Sequence, residues 1–546
     1  MAVLLTPVLW ADAKKTPPEP STVSIHPLAG RRGSTYPATI RGVNLGGAHT
    51  VWFEGQGVRA RVLRVEPEPD AATEKPADLL HAEVTVDADA PVGAHPFRVV
   101  TPFGVTNEIV LPIVEEPVIG EKDPIPGFPV IVNGRLVKRG EVDAYWIEAG
   151  AGQTLTFEIS SGHAAFDPSV SLYEPSGSWF DSDRLNRIAF HDEPLFFPGL
   201  PTDGRLVHRF AKAGKYCVKV QAFSGRGGPD FVYRLRITPE ATPEPALHPK
   251  RKADWEERLF TRRLGPDWMA RMIQRAGRAD SIPAPEAFRG VAEDSPEPPL
   301  MTIPGVVEGR IAKPAETHII RLKVDKPRDL AIEIETPEAT MPRFNPVVRL
   351  MAPHGGEVAT NVHTKRNNNG LYMMKMIQAK TTLTLRAAGV YLLQVRDITT
   401  DRGGPDFAYR VLVRPQIPHV GKVEVAEDRV NLEAGAVKPI TINIEREEEF
   451  GGFAAVSLEG LPRGVTAVTG MEKPVERPPL PNAGRLERYV PKPQTSTVLL
   501  VAAPDAPVTE TPVNIRVIAR PAVEGRLGEP ILVKEIPMMV VARRPS

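Results

Sequence analysis

Residues Gly227 to Arg234 read GGPDFVYR and residues Gly403 to Arg410 read GGPDFAYR, and this recurrence decides how the chain is organised. The correspondence runs upstream. Ala213-Gly214-Lys215-Tyr216 matches Ala388-Gly389-Val390-Tyr391, Phe166-Asp167-Pro168 with Leu172 matches Phe344-Asn345-Pro346 with Leu350, and Gly134-Arg135 matches Gly309-Arg310. The offset is 175 at Gly134/Gly309, 178 at Phe166/Phe344, 175 again at Gly214/Gly389 and 176 at Asp230/Asp406. Small loop insertions produce such a drift. Two copies of one module of about 110 residues therefore stand in tandem, over 127–240 and 302–415; a period this long marks duplicated domains, not a solenoid.

Inside the first copy, Tyr145-Trp146-Ile147 and Leu155-Thr156-Phe157-Glu158-Ile159 alternate with period two between glycine-rich turns, the pattern of half-buried strands. Val170–Tyr173, Tyr216–Val220 and Phe231–Ile237 continue it. Short strands without intervening helices predict an antiparallel sandwich. In the signature, Gly227-Gly228-Pro229 and Gly403-Gly404-Pro405 form a turn. Asp230 and Asp406 are expected to bond nearby backbone N–H groups, and Tyr233 and Tyr409 to open the last core strand.

Two further stretches have the same character. Residues 20–117 carry strand-like runs such as Tyr36–Val43 and Leu80–Val86, and residues 420–543 carry Ile440–Ile444, Thr497–Val501 and Val513–Ile518. Met471–Pro493 is expected to be a long exposed loop. The exception is 250–280, where Trp255, Leu259, Phe260 and then Trp268, Met272, Ile273 form apolar stripes opposite arginines. That spacing predicts a short helical linker between the copies; a membrane-surface helix is the alternative. The fold class expected is mainly β: a string of antiparallel β-sandwich domains, immunoglobulin-like and jelly-roll-like, with a short helical insertion.

The repeat, from its Gly-Arg entry through AGQTLTFEI, DPSVSLYEPSG and AGKYCVKVQA to GGPDFVYRLRI, resembles the bacterial pre-peptidase C-terminal domain. That resemblance implies a sandwich related to collagenase collagen-binding domains, a companion of secreted peptidases and surface proteins. Copy 2 departs from the pattern, with Asn345 for Asp167 and Arg349-Leu350-Met351 for Ser171-Leu172-Tyr173. Residues 20–117, through Arg41-Gly42-Val43-Asn44-Leu45, Val51…Phe53…Gly55 and Thr101-Pro102-Phe103-Gly104…Asn107, resemble an IPT/TIG immunoglobulin-like domain. Residues 420–543 resemble a generic immunoglobulin-like sandwich. The arrangement is similar to exported proteins of planctomycete-type bacteria.

Composition narrows the function. The 546 residues hold 67 Lys+Arg and 67 Asp+Glu, so there is no net field to gather nucleic acid. Proline, 58 residues, is about twice its usual share of ~5%, as stiff linkers between short strands require. The single cysteine, Cys217, excludes an internal disulfide and lies in a strand-like run, where it reads as a structural thiol. Residues 1–13 read as a truncated signal peptide ending at Ala11-Asp12-Ala13, with an apolar leader as the alternative. No run approaches the ~18 apolar residues of a membrane span.

Catalytic motifs are missing: no Gly-x-Ser-x-Gly, His-Glu-x-x-His, Cys-x-x-Cys or phosphate loop occurs. The chain is expected not to be an enzyme. One acidic cluster, Asp181, Asp183, Asp192 and Glu193, offers the hard oxygens calcium takes. The spacing is not an EF-hand, copy 2 carries NVHTKRNNN there (Asn361–Asn369), and a solvated turn is the favoured reading. No other cofactor is expected. The function expected is a non-catalytic exported binding, adhesion or scaffold protein of the bacterial envelope, held in the periplasm, at the surface or outside the cell. Its partner would be an extracellular polymer or envelope protein. The alternatives are an accessory region for a separately encoded secreted hydrolase and a calcium-dependent polymer binder.

Overall fold

The period-two alternation around Trp146 is realised as the strand Val142–Ala149, whose odd residues Tyr145, Ile147 and Ala149 are buried and whose even residues Ala144, Trp146 and Glu148 are exposed. The same logic runs through the whole computed structural model. It describes residues 19–68, 77–162, 166–175, 185–191, 204–239, 285–336, 344–366, 373–399, 402–405, 407–469, 473–474, 492–523 and 526–543. Among these residues every regular element is a β-strand and no helix occurs. The sheets are multiple, largely antiparallel and layered as sandwiches. The expected helical linker at 250–280, the leader at 1–13 and most of the Met471–Pro493 loop lie outside the described residues.

In copy 1 one sheet orders Val118–Gly120, Val130–Arg135, Val232–Pro239, Thr154–Ser161 and Gly204–Arg209; the facing sheet orders Val142–Ala149, Gly214–Ala222, Pro168–Pro175 and Leu185–His191. Their inner faces share one core that includes Phe157, Val170, Leu172, Val218, Tyr233 and Leu235. Copy 2 repeats the order strand for strand. Glu286–Arg289, Gly305–Arg310, Ala408–Pro415, Arg328–Glu335 and Lys380–Leu385 form one sheet, and Thr317–Val324, Gly389–Asp397, Pro346–Met351 and Glu357–Thr360 the other. Copy 2 also carries a separate hairpin, Val362–Arg366 with Met373–Ile377, and it differs at one margin of the sandwich. There Val291–Ala292 and Leu300–Met301 add onto the outer edge of Thr317–Val324.

The N-terminal strands make one continuous nine-stranded sheet. A single pair, Val51 with Ala60, joins its halves, so it folds over a core of Ile40, Leu80 and Val84 against Phe97, Val99 and Leu111. The C-terminal strands form two sheets that enclose Ile440, Ile442, Val498, Ile515 and Met538.

These units touch in an order different from their order in sequence. The Asn133 amide of copy 1 accepts from the backbone N–H of Leu28 and Ala29 and donates to the Ala29 carbonyl. The Asn431 amide of the C-terminal sandwich bonds both backbone groups of Val105, at 2.8 and 2.9 Å, beside a small cluster of Val100, Val105, Met539 and Val541. Copy 2 meets the C-terminal sandwich through Arg414, whose guanidinium lies 2.7 Å from Glu448.

Candidate binding face

The duplicated signature is a packing device. A Cβ at Gly134 would fall on the Tyr233 ring, and one at Gly309 on the Tyr409 ring, so the Gly-Arg entry exists to let each tyrosine lie across its neighbouring strand. Gly227 and Gly403 bring the turn against the backbone of Lys138 and Lys313. Phe231 packs on Phe166 with ring centroids 5.0 Å apart at 36°, and Phe407 on Phe344 at 5.1 Å and 38°. Geometry this well repeated is a folding constraint of the module.

The buried tyrosine hydroxyls are satisfied differently in the two copies. Tyr233 donates to the Asp143 carboxylate and lies 2.5 Å from the Tyr145 hydroxyl. Burial, only partly offset by the Tyr233 hydrogen bond and reinforced by Glu121 and Glu141, pushes the Asp143 carboxyl up to about 6. In copy 2 the Tyr409 hydroxyl meets Nδ1 of His318 at 2.8 Å. Asp230 does not bond nearby backbone N–H groups as expected. It accepts from the Ser24 hydroxyl at 2.6 Å and pairs with Arg41 at 2.6 Å, because the strands Ser21–His26 and Thr35–Val43 of the N-terminal sandwich bring those side chains over the turn. Asp406 lies outside the described residues, as do the calcium candidates Asp181, Asp183, Asp192 and Glu193.

Cys217 is buried, and burial pushes its thiol pKa up, which suits a structural thiol and not a nucleophile. Its place in the register is informative. Trp146, Cys217, Tyr173 and Arg187 form one row across four neighbouring strands, and Ala144, Lys219, Ser171 and Phe190 form the next. The adjacent positions Tyr145, Ile147, Val218, Val220, Val170 and Leu172 fill the core, so these rows lie on the outer face of the sheet.

Trp146 is 53% exposed and Phe223, just past the end of its strand, 62%. The Lys219 ammonium lies 4.6 Å over the Tyr173 ring, and the Arg187 guanidinium 4.9 Å over Phe190. Trp146 and Tyr173 stand two strands apart, about 10 Å at the usual strand spacing. In copy 2 the corresponding row is Arg321, Leu392 and Met351. The aromatic face therefore belongs to copy 1. Sequence alternation could have flagged it, since Tyr145 and Ile147 cannot both be core residues without turning Trp146 outward.

A second constellation was invisible in the sequence. His419, Glu447 and Glu448 bring ligand atoms within 4.8 Å of one another, all buried, as a metal site would. The Lys380 ammonium, however, contacts both glutamates. Arg414 bonds Glu448 through two nitrogens, at 2.8 and 2.7 Å, and also meets Glu333. A protein cation thus occupies the position a metal would take, and the group is an ion-pair cluster closing the seam between copy 2 and the C-terminal sandwich. Burial opposes ionisation of Glu448. The hydrogen bond from Arg414 and the charges of Lys380, Arg414 and His419 outweigh it, holding the carboxyl at about 2.

No family model matches this chain, and no curated protein matches it. Solved structures do. The secreted serine protease VesC from Vibrio cholerae is 9% identical over 39% of this chain and 49% of its own, with a TM-score of 0.15. SGBP-B from a complex xyloglucan utilization locus in Bacteroides uniformis is 12% identical over 41% and 74%, at 0.16. The tandem CBM22 domains of Xyn10C from Paenibacillus barcinonensis are 9% identical over 71% and 90%, at 0.14. This chain spans about half the length of the protease. At such TM-scores none of these likenesses carries fold or function across.

Proposed function

We propose that this chain is a non-catalytic, exported binding protein of the bacterial envelope, and that copy 1 holds an extended polymer against its outer face. In this reading the two copies are pre-peptidase C-terminal-like modules. The N-terminal unit is IPT/TIG-like, and it and the C-terminal sandwich serve as the frame. One observation carries the proposal: the outer face of copy 1 presents an exposed Trp146, with Tyr173 two strands away in the same row and Phe190 in the next, while copy 2, built on the same strand order, has Arg321 and Met351 in the row of Trp146 and Tyr173. Duplication with loss of the aromatics on one side fits one binding module and one spacer.

Native gel electrophoresis tests it, with gelatin and a soluble β-glucan cast in parallel gels. Retardation in either gel, removed by Trp146→Ala and unaffected by calcium, is the expected result. Unretarded migration in both gels, or retardation indifferent to Trp146→Ala, would sink the reading. No hydrolysis of either polymer is expected.

A further inference from the structure

The two copies differ at one sheet margin, and the difference names a partner class. In copy 2 the outer edge of Thr317–Val324 is occupied. Val291–Ala292 pairs with it antiparallel, setting Val291 opposite Ile319, and Leu300–Met301 pairs parallel, setting Leu300 opposite Arg321. The neighbouring backbone completes the cover, with the Glu293 N–H donating to the Thr317 carbonyl and the Arg321 N–H to the Pro299 carbonyl, both at 2.9 Å. The edge-facing amides of this strand therefore belong to alternate residues, 317, 319 and 321.

The equivalent strand of copy 1, Val142–Ala149, keeps the same pairing on its inner side, against Gly214–Ala222. Subtracting the offset of 175 places the edge-facing groups on Val142, Ala144 and Trp146. Among the described residues no strand pairs with this edge, and no backbone donor or acceptor from outside its own sheet meets it. The reason is a length difference. Sixteen positions separate Arg289 from Gly305 in copy 2, whereas ten separate the corresponding Gly120 from Val130 in copy 1; the shorter connection is not folded onto the edge. An unpaired edge is a template for another strand, and proteins that do not use one blunt it. Here the edge-facing residues Val142, Ala144 and Trp146 are instead apolar and exposed, the acid Glu148 coming only at the end of the strand.

We infer that Val142–Ala149 is a strand-addition site that takes an extended polypeptide segment of a partner protein, as copy 2 takes Val291–Ala292 and Leu300–Met301 from its own chain. Main-chain hydrogen bonds to Ala144 and Trp146 supply the attachment, and Val142 and Trp146 read alternate side chains of the incoming strand. This deepens the proposed polymer-binding reading and rests on it, with the polymer specified as polypeptide.

The experiment uses the full chain and a synthetic peptide of alternating sequence, Lys-Val-Thr-Val-Thr-Val-Lys, followed by hydrogen exchange at 142–149. The amides of Ala144 and Trp146 should exchange rapidly in the free protein and slow at least tenfold with saturating peptide. A peptide N-methylated at alternate residues should have no effect. Ala144→Pro removes only an edge-facing N–H, a place where proline is tolerated, so it should abolish the response without changing the melting temperature. Amides already protected in the free chain would overturn the inference, as would protection unchanged by millimolar peptide. Should Ala144→Pro unfold the module, N-methylated peptide competing as well as the parent overturns it instead. If Trp146→Ala abolishes retention in the polymer gels while Ala144→Pro does not, the edge inference fails and the outer-face reading stands.

Discussion

The carboxylate of Asp230 lies 2.6 Å from the guanidinium of Arg41, although 189 positions separate them. Asp230 belongs to the signature turn of copy 1 and Arg41 to the third strand of the N-terminal sandwich, with Glu68 on the other side of the same guanidinium at 2.9 Å. The side chains are only 11% and 17% exposed, so solvent screens the pair weakly. Asp230→Asn or Arg41→Ala should cost about 1.5–3 kcal/mol, the range for a hydrogen bond to a charged group. Calorimetry should show the copy 1 and N-terminal transitions separating as their coupling is lost.

Gly134→Ala should destabilise copy 1, and Gly309→Ala copy 2, by about 1–3 kcal/mol each, because the added methyl must displace a buried tyrosine ring. Gly46→Ala serves as the control, since nothing lies within 4 Å of a Cβ there. Melting temperatures of the three variants decide the matter. Equal behaviour would show that the Gly-Arg entry has another purpose.

Acid should open the seam between copy 2 and the C-terminal sandwich. The Glu448 carboxyl is lowered from 4.5 to about 2 in the folded state, so its contribution is fully present above 4.5 and is lost as pH falls toward 2. The difference corresponds to about 3 kcal/mol. Asp143 has the opposite sign. Raised from 3.8 to about 6, it favours the fold most below 3.8 and loses that contribution as pH rises through 6. Denaturation curves of Glu448→Gln should be flatter than wild type between pH 2 and 4.5, and those of Asp143→Asn flatter between pH 4 and 6.

Cys217 should resist an aromatic disulfide reagent in the native protein and react with one equivalent after unfolding, since it is only 1% exposed and its thiol pKa is raised. Rapid labelling of the native chain would mean that the row from Trp146 to Arg187 opens on the timescale of the reaction.

Much of the fold was legible because strands advertise themselves with period two. Tyr145-Trp146-Ile147 and Leu155–Ile159 could be assigned from alternation, and the repeat fixed the correspondence of the copies. The contacts between units were not legible. Nothing in the local sequence of Asn133, Asp230 or Asn431 says that each reaches a sandwich elsewhere in the chain, since side-chain amides and carboxylates in turns bond their own backbone just as well. The cluster of Glu333, Lys380, Arg414, His419 and Glu448 draws on five separated positions, and only the docking of two sheets brings them together. The edge of Val142–Ala149, unpaired among the described residues, was hidden for a different reason. Edges are defined by what fails to pair, and only a folded sister copy shows what could have paired.

The contact between Asn431 and Val105 has a bearing on how the chain is made. Synthesis proceeds from the N-terminus, and domains fold as they emerge. The first sandwich is complete in sequence by Val114, yet Val105 finds its hydrogen-bonding partner only after Asn431 appears, and Val100 finds Met539 and Val541 later still. Until Met539 and Val541 emerge, this protein carries an apolar patch at Val100 and Val105 that they will cover. A chain interrupted before residue 431 should therefore be sticky at the sandwich of residues 19–114, and quality control that senses such surface would read a later strand by inspecting an earlier domain.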